Sequence, residues 1–178
     1  MRLRIGAVAA LFLLGLHTNG ALAVGEKSKS KPKSNGEIVD FEQDFSRGTV
    51  IVRTSERRLY YVLGDGQAVR YPIAVGKTRF QWTGELWVSS KRENPTWRPT
   101  ARMRREDPRL PVSVGPGPRN PLGSRAIYLG WGEYRIHGTN APGSIGGAAS
   151  SGCFRMHNVD IVDLFERVHI GAPVIVQK

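Results

Sequence analysis

From Phe45 onward, apolar residues fall in short runs, either alternating or continuous, separated by glycine and proline. That texture predicts an all-β domain with little helix. Thr49–Arg53 (TVIVR) and Leu59–Leu63 (LYYVL) read as strands. Gly64-Asp65-Gly66, which tolerates positive φ, joins the second of them to Ala68–Val75 in a hairpin. Further strands are expected at Glu85–Ser89, Ala126–Leu129, Tyr134–His137 and Pro173–Val176. Asn94–Asn120 holds six prolines and many arginines and reads as too broken for a regular element.

One late segment has a different period. Ile161, Leu164, Phe165 and Val168 recur at i, i+3, i+4 and i+7, with Asn158 placed to cap the helix, Asp160 at its positive end, and Gly171 and Pro173 beyond it. The expected fold is mainly β, a mixed sandwich or barrel-like domain over residues 45–178 with one late helix.

The N-terminal pattern is not that of a domain. Met1–Arg4 carries two arginines, Ile5–Leu16 is almost wholly apolar, and Ala21-Leu22-Ala23 has the small-x-small form of a cleavage site. Residues 1–23 therefore read as a secretory signal, its apolar run being shorter than the ~20 residues that span a bilayer. After cleavage no integral span is expected. Val24–Gly36 alternates Lys and Ser, so residues 24–44 read as a flexible linker.

Export changes the meaning of the composition. The 178 residues carry 26 Lys and Arg against 15 Asp and Glu, a net charge of +11. Removing 23 residues, with Arg2 and Arg4 and no acid, leaves 155 residues at +9. That balance calls for an anionic partner, and for an exported protein cell-wall polymer fits better than nucleic acid, which is not an expected partner. The chain has a single cysteine, Cys153, which rules out an intramolecular disulfide and a Cys-rich zinc site. No cofactor or metal motif is present. Gly115-Pro116-Gly117 lacks the N–H donors and the strand-to-helix turn of a phosphate loop.

A lone cysteine in an oxidising compartment is a liability unless it pairs between chains or serves as a reactive thiol. Cys153 follows Ser151-Gly152 and lies 16 residues after His137. A thiol at pKa ~8.5 is only a few per cent ionised at neutral pH, so a nucleophilic role needs a base, and His137 at the end of an alternating strand is the best candidate. The Ser151-Gly152-Cys153 turn can aim backbone N–H groups at a developing oxyanion. Arg155 can pair a substrate carboxylate. His157 and His169 read as structural.

These residues resemble the L,D-transpeptidases of the bacterial cell wall, the YkuD family. The likeness rests on His137-Gly138-Thr139-Asn140, Ile145-Gly146 and Ser150-Ser151-Gly152-Cys153-Phe154-Arg155-Met156, with flanks such as Tyr71–Lys77 and Asn120–Ala126. It covers nearly all of residues 48–177. Many members have His two residues before the cysteine, where this chain has Ser151, and some have Asn at the place of Arg155. The resemblance implies that Cys153 attacks the diaminopimelate–D-Ala bond of a peptidoglycan tetrapeptide stem, with His137 as base. Its ring would be oriented by a main-chain carbonyl at the place of Gly138. Tyr134, Asn140 and Arg155 are the expected substrate contacts. The acyl group would pass to an amine on another stem, giving a 3-3 cross-link, or on a wall-anchored outer-membrane protein. Localisation in the periplasm and acylation by carbapenems follow from the same resemblance. Competing readings are a non-catalytic basic wall-binding module, an L,D-carboxypeptidase, or a sortase-like acyltransferase, although the Thr-Leu-x-Thr-Cys strand of sortases is absent.

Overall fold

A computed structural model describes residues 33–42, 44–130 and 134–178. The proposed signal and most of the Lys/Ser-rich stretch lie outside the described residues. Within them the fold is mainly β, as expected. The strands are β1 (Glu37–Asp40), β2 (Val50–Arg53), β3 (Arg58–Gly64), β4 (Gln67–Pro72), β5 (Val75–Gly76), β6 (Gly84–Glu93), β7 (Arg125–Leu129), β8 (Tyr134–His137), β9 (Ala148–Ser150), β10 (Phe154–Arg155) and β11 (Pro173–Gln177). The helices are α1 (Ala101–Glu106) and α2 (Asn158–Arg167). Nine strands form one mixed sheet in the order β1-β4-β3-β2-β11-β6-β7-β8-β10, and β5 pairs with β9 separately. Most pairs are antiparallel, but β11 joins β2, and β10 joins β8, in parallel.

Two cores explain why β2 and β3 are continuously apolar instead of alternating. Val50, Val52, Leu59 and Tyr61 face the main core with Ile136, Phe154 and the apolar stripe of α2. Ile51, Tyr60 and Val62 face the other side, where Phe41 covers them. A strand with both faces covered carries no period-2 signal.

That second core corrects the expectation of a linker through Asp44. β1 pairs with β4 across four residues, Phe41 is buried, and Ser34 and Asn35 bond the carboxylate of Asp160. The packed structure thus begins well before residue 45, because the outer face of β2–β4 needs a cover. Three further expectations change. The Ala68–Val75 strand divides, Ile73 and Ala74 separating β4 from β5. The proline-rich segment contains α1, whose Thr100 side chain caps Met103 N–H at 3.2 Å. Finally, α2 takes His157 as its N-cap residue, and the Asn158 side chain points elsewhere. Among the described residues no helix is long and apolar enough to cross a membrane.

Candidate active site

The parallel pairing of β10 with β8 assembles the site. Phe154 lies opposite Ile136, and Arg155 opposite His137. One step back, the same register puts Cys153 beside Arg135. Ile136 and Phe154 are fully buried in the core, so alternation turns Arg135, His137 and Arg155 to the other face. There they line, with Cys153 and Tyr134, a cleft of about 410 Å³.

His137 is buried, and its Nδ1 lies 2.6 Å from the Gly138 carbonyl oxygen. A carbonyl only accepts, so Nδ1 carries the proton and Nε2 of the neutral ring is left as the acceptor. Burial pushes the histidine pKa down to about 3; the Gly138 bond opposes that shift, while Arg155 and Arg135 add to it. Burial also pushes the Cys153 thiol up, against the pull of Arg135 and then Arg155 toward thiolate. Both shifts favour the uncharged forms, a neutral thiol and a neutral imidazole.

The loop that carries Cys153 is held from several sides. Ser150 is buried; its Oγ accepts from Gly152 N–H at 3.1 Å and donates to the Cys153 carbonyl at 2.5 Å. Gly152 has φ +117°, and a Cβ there would meet Tyr134 Cε1 at 3.0 Å. Trp82 donates its indole N–H to the Gly152 carbonyl at 3.0 Å and stacks on Tyr134 with centroids 4.4 Å apart. Arg102 of α1 donates to the Ser151 carbonyl at 3.0 Å and lies 4.2 Å over the Phe80 ring.

The structure sorts the expected site residues. Cys153, His137, Ser151, Arg155 and Tyr134 share the cleft, and the Gly138 carbonyl holds the histidine. The Gly152 N–H is taken by Ser150 and does not face the cleft as an oxyanion donor. Asn140 is exposed, is not among the cleft-lining residues, and donates instead to the Arg119 carbonyl at 3.1 Å.

Two residues emerge at the site that the sequence did not assign to it. Arg135 had a legible sign, since it shares the face of His137 in the alternating strand. Asn158, expected only as a helix cap, had none. Its Oδ1 accepts from Ser124 N–H (3.1 Å) and Thr139 N–H (3.2 Å), and its Nδ2 donates to the Thr139 carbonyl (2.9 Å). It fills the gap between Gly138 and Gly123, where a Cβ on either would meet Asn158 Oδ1 at 2.2 or 2.1 Å. Asn158 thereby fixes the peptide whose carbonyl orients His137.

The profile of the YkuD family, the L,D-transpeptidase catalytic domain, matches residues 47–176, and the chain belongs to that family. It is 41% identical over 155 residues to the probable L,D-transpeptidase ErfK/SrfK of Escherichia coli, covering 80% of this chain and 49% of that protein. The chain spans about half the length of the curated relatives it matches. An L,D-transpeptidase structure from Mycobacterium smegmatis superposes with a TM-score of 0.60 at 19% identity, over 74% of this chain and 59% of that one. A Brucella melitensis crystal structure described as a probable carnitine operon oxidoreductase is 44% identical, with a TM-score of 0.54 over 82% and 95% of the two chains.

Proposed function

We propose that the chain is an exported, periplasmic peptidoglycan L,D-transpeptidase. In the first step Cys153 Sγ attacks the carbonyl carbon of the diaminopimelate–D-Ala bond while His137 Nε2 takes the thiol proton. The tetrahedral intermediate collapses, the C–N bond breaks, and the imidazolium returns the proton to the leaving amine of D-Ala. The thioester then meets an amine, on a second stem or on a wall-anchored outer-membrane protein. That amine loses a proton to His137 as the new amide forms and the thiol is regenerated.

The observation that carries this reading is the His137 Nδ1 to Gly138 contact of 2.6 Å in the cleft that Cys153 also lines, because it leaves Nε2 as the acceptor on a buried, neutral ring. Family membership over residues 47–176 supports the substrate class. A carbapenem is an activated acyl donor for the same thiol. Incubating the protein with one and weighing it intact should show a single adduct, lost in Cys153→Ala. An unmodified wild-type mass refutes the mechanism.

A further inference from the structure

Two sets stand out among the arginines of the described residues. Arg53, Arg70, Arg79, Arg109, Arg125 and Arg167 each meet a carboxylate within 4.0 Å. Arg98, Arg102, Arg105, Arg135 and Arg155 line the cleft around Cys153, where no Asp or Glu is among the lining residues, and none of the five makes an ion pair with a described residue. Arg102 has a structural use on Ser151 and Phe80. Arg98 and Arg105 are exposed, and Arg135 and Arg155 are half-buried. Arg135 stacks over Tyr128 at 5.2 Å and hydrogen-bonds to Cys153, while its Nε is buried without a partner. Arg155 is withdrawn from water enough to pull its pKa down. A guanidinium N–H held out of water without an acceptor, as at Arg135 Nε, is unfavourable, and an anionic ligand in a cleft lined by five arginines and no acid supplies what the protein does not.

We propose that the cleft reads the negative charge of its acyl donor. Arg135 and Arg155 beside Cys153, with Arg98 and Arg105 further along the cleft, bind carboxylates of the peptide, so that stems with free carboxylates react and stems carrying carboxamides in their place are rejected. The inference rests on the transpeptidase reading above, in which the donor carries a side-chain carboxylate on diaminopimelate. A carboxamide has nearly the shape of a carboxylate, so fit alone cannot separate them. Charge can, because the amide offers one neutral acceptor oxygen and a donor that repels the guanidinium.

The test uses two synthetic tetrapeptide stems that differ only in the diaminopimelate side-chain group, carboxylate or carboxamide, and follows D-Ala release. Wild type should show kcat/KM at least tenfold higher for the carboxylate stem. Arg135→Gln also removes a charge that favours the thiolate and so slows both stems, but it should lower the carboxylate-to-carboxamide ratio of kcat/KM at least fivefold, with Arg105→Gln giving a smaller fall in the same ratio. Equal kcat/KM for the two stems in wild type overturns the inference and leaves the transpeptidase reading intact. A ratio unchanged in both variants overturns its assignment to these arginines. If neither stem releases D-Ala, the transpeptidase reading fails. In that case the ratio of affinities of the two stems for Cys153→Ala, measured by calorimetry, still decides whether the cleft reads charge.

Discussion

Asn158 shows how a residue outside the cleft lining can set the state of His137. It makes three hydrogen bonds to the backbone around Gly123 and Gly138, and the Gly138 carbonyl in turn fixes the His137 tautomer. Asn158→Ala should lower kcat for acylation at least tenfold with little change in KM, whereas a merely structural role would lower stability alone; stopped-flow acylation beside a thermal melt separates the two. The titration of the pair gives a second prediction. With the thiol pushed up and the imidazole pulled down, alkylation of the free enzyme by iodoacetamide should be slow at pH 6–7 and rise only through the alkaline range. A fast plateau at pH 6 would reveal a preformed thiolate and sink the neutral-pair description. Stability should follow the same histidine. Its folded pKa of about 3 lies below the unfolded ~6.5, so the unfolded chain takes the proton first as pH falls. The contribution is full above about pH 6.5 and is lost progressively toward pH 3, which urea midpoints across that window measure. That Cys153 and His137 share one cleft was legible because a lone cysteine after a glycine turn, in a chain whose start reads as a secretory signal, is chemically loaded. The clamp by Asn158 was not, because it depends on α2, the Gly123 turn and the end of β8 meeting in space.

The elements around the nucleophile repeat that division. Strands with simple alternation, such as β8, could be read from sequence together with the face each residue takes. The helix α1 could not: six residues among prolines have no period to detect, and the helix exists because Thr100 caps it and Arg102 docks it on Phe80 and the Ser151 carbonyl. Asn158 as an N-cap failed for a related reason, since tertiary partners outbid a local bond worth about 1 kcal/mol. If α1 serves to hold the nucleophile loop, Arg102→Ala should reduce acylation five- to twentyfold and shift the melting temperature by no more than about 4 °C, the size expected for losing one part-exposed hydrogen bond. A variant with wild-type acylation would make α1 a bystander.

At the scale of the molecule, the unexpected partner of the site is the N-terminal arm. Continuous apolar runs in β2 and β3 imply two covered faces. Much of the second cover comes from Val39 and Phe41, which precede Phe45 in a stretch whose polar texture reads as linker. The arm does more than cover. Asp160 is fully buried in the first turn of α2, and Ser34 Oγ, Asn35 N–H (2.7 Å) and Asn35 Nδ2 donate to its carboxylate. Two residues before it in the same turn stands Asn158, so the arm braces the turn that positions the base. Starting the chain at residue 45 would expose Ile51, Tyr60 and Val62 and leave a buried carboxylate without its donors. Truncating Phe41 alone is expected to cost about 3–5 kcal/mol, and stranding Asp160 about 1–3 kcal/mol more. Compared with a chain starting at residue 33, one starting at residue 45 should lose several kcal/mol in urea unfolding and acylate more slowly. The variant Phe41→Ala separates the two roles. It removes the cover and keeps the Asp160 donors, so it should lower stability while leaving the acylation rate of the folded fraction near wild type; an equal loss of rate in both variants would mean that the arm acts on the base through the sheet and not through Asp160.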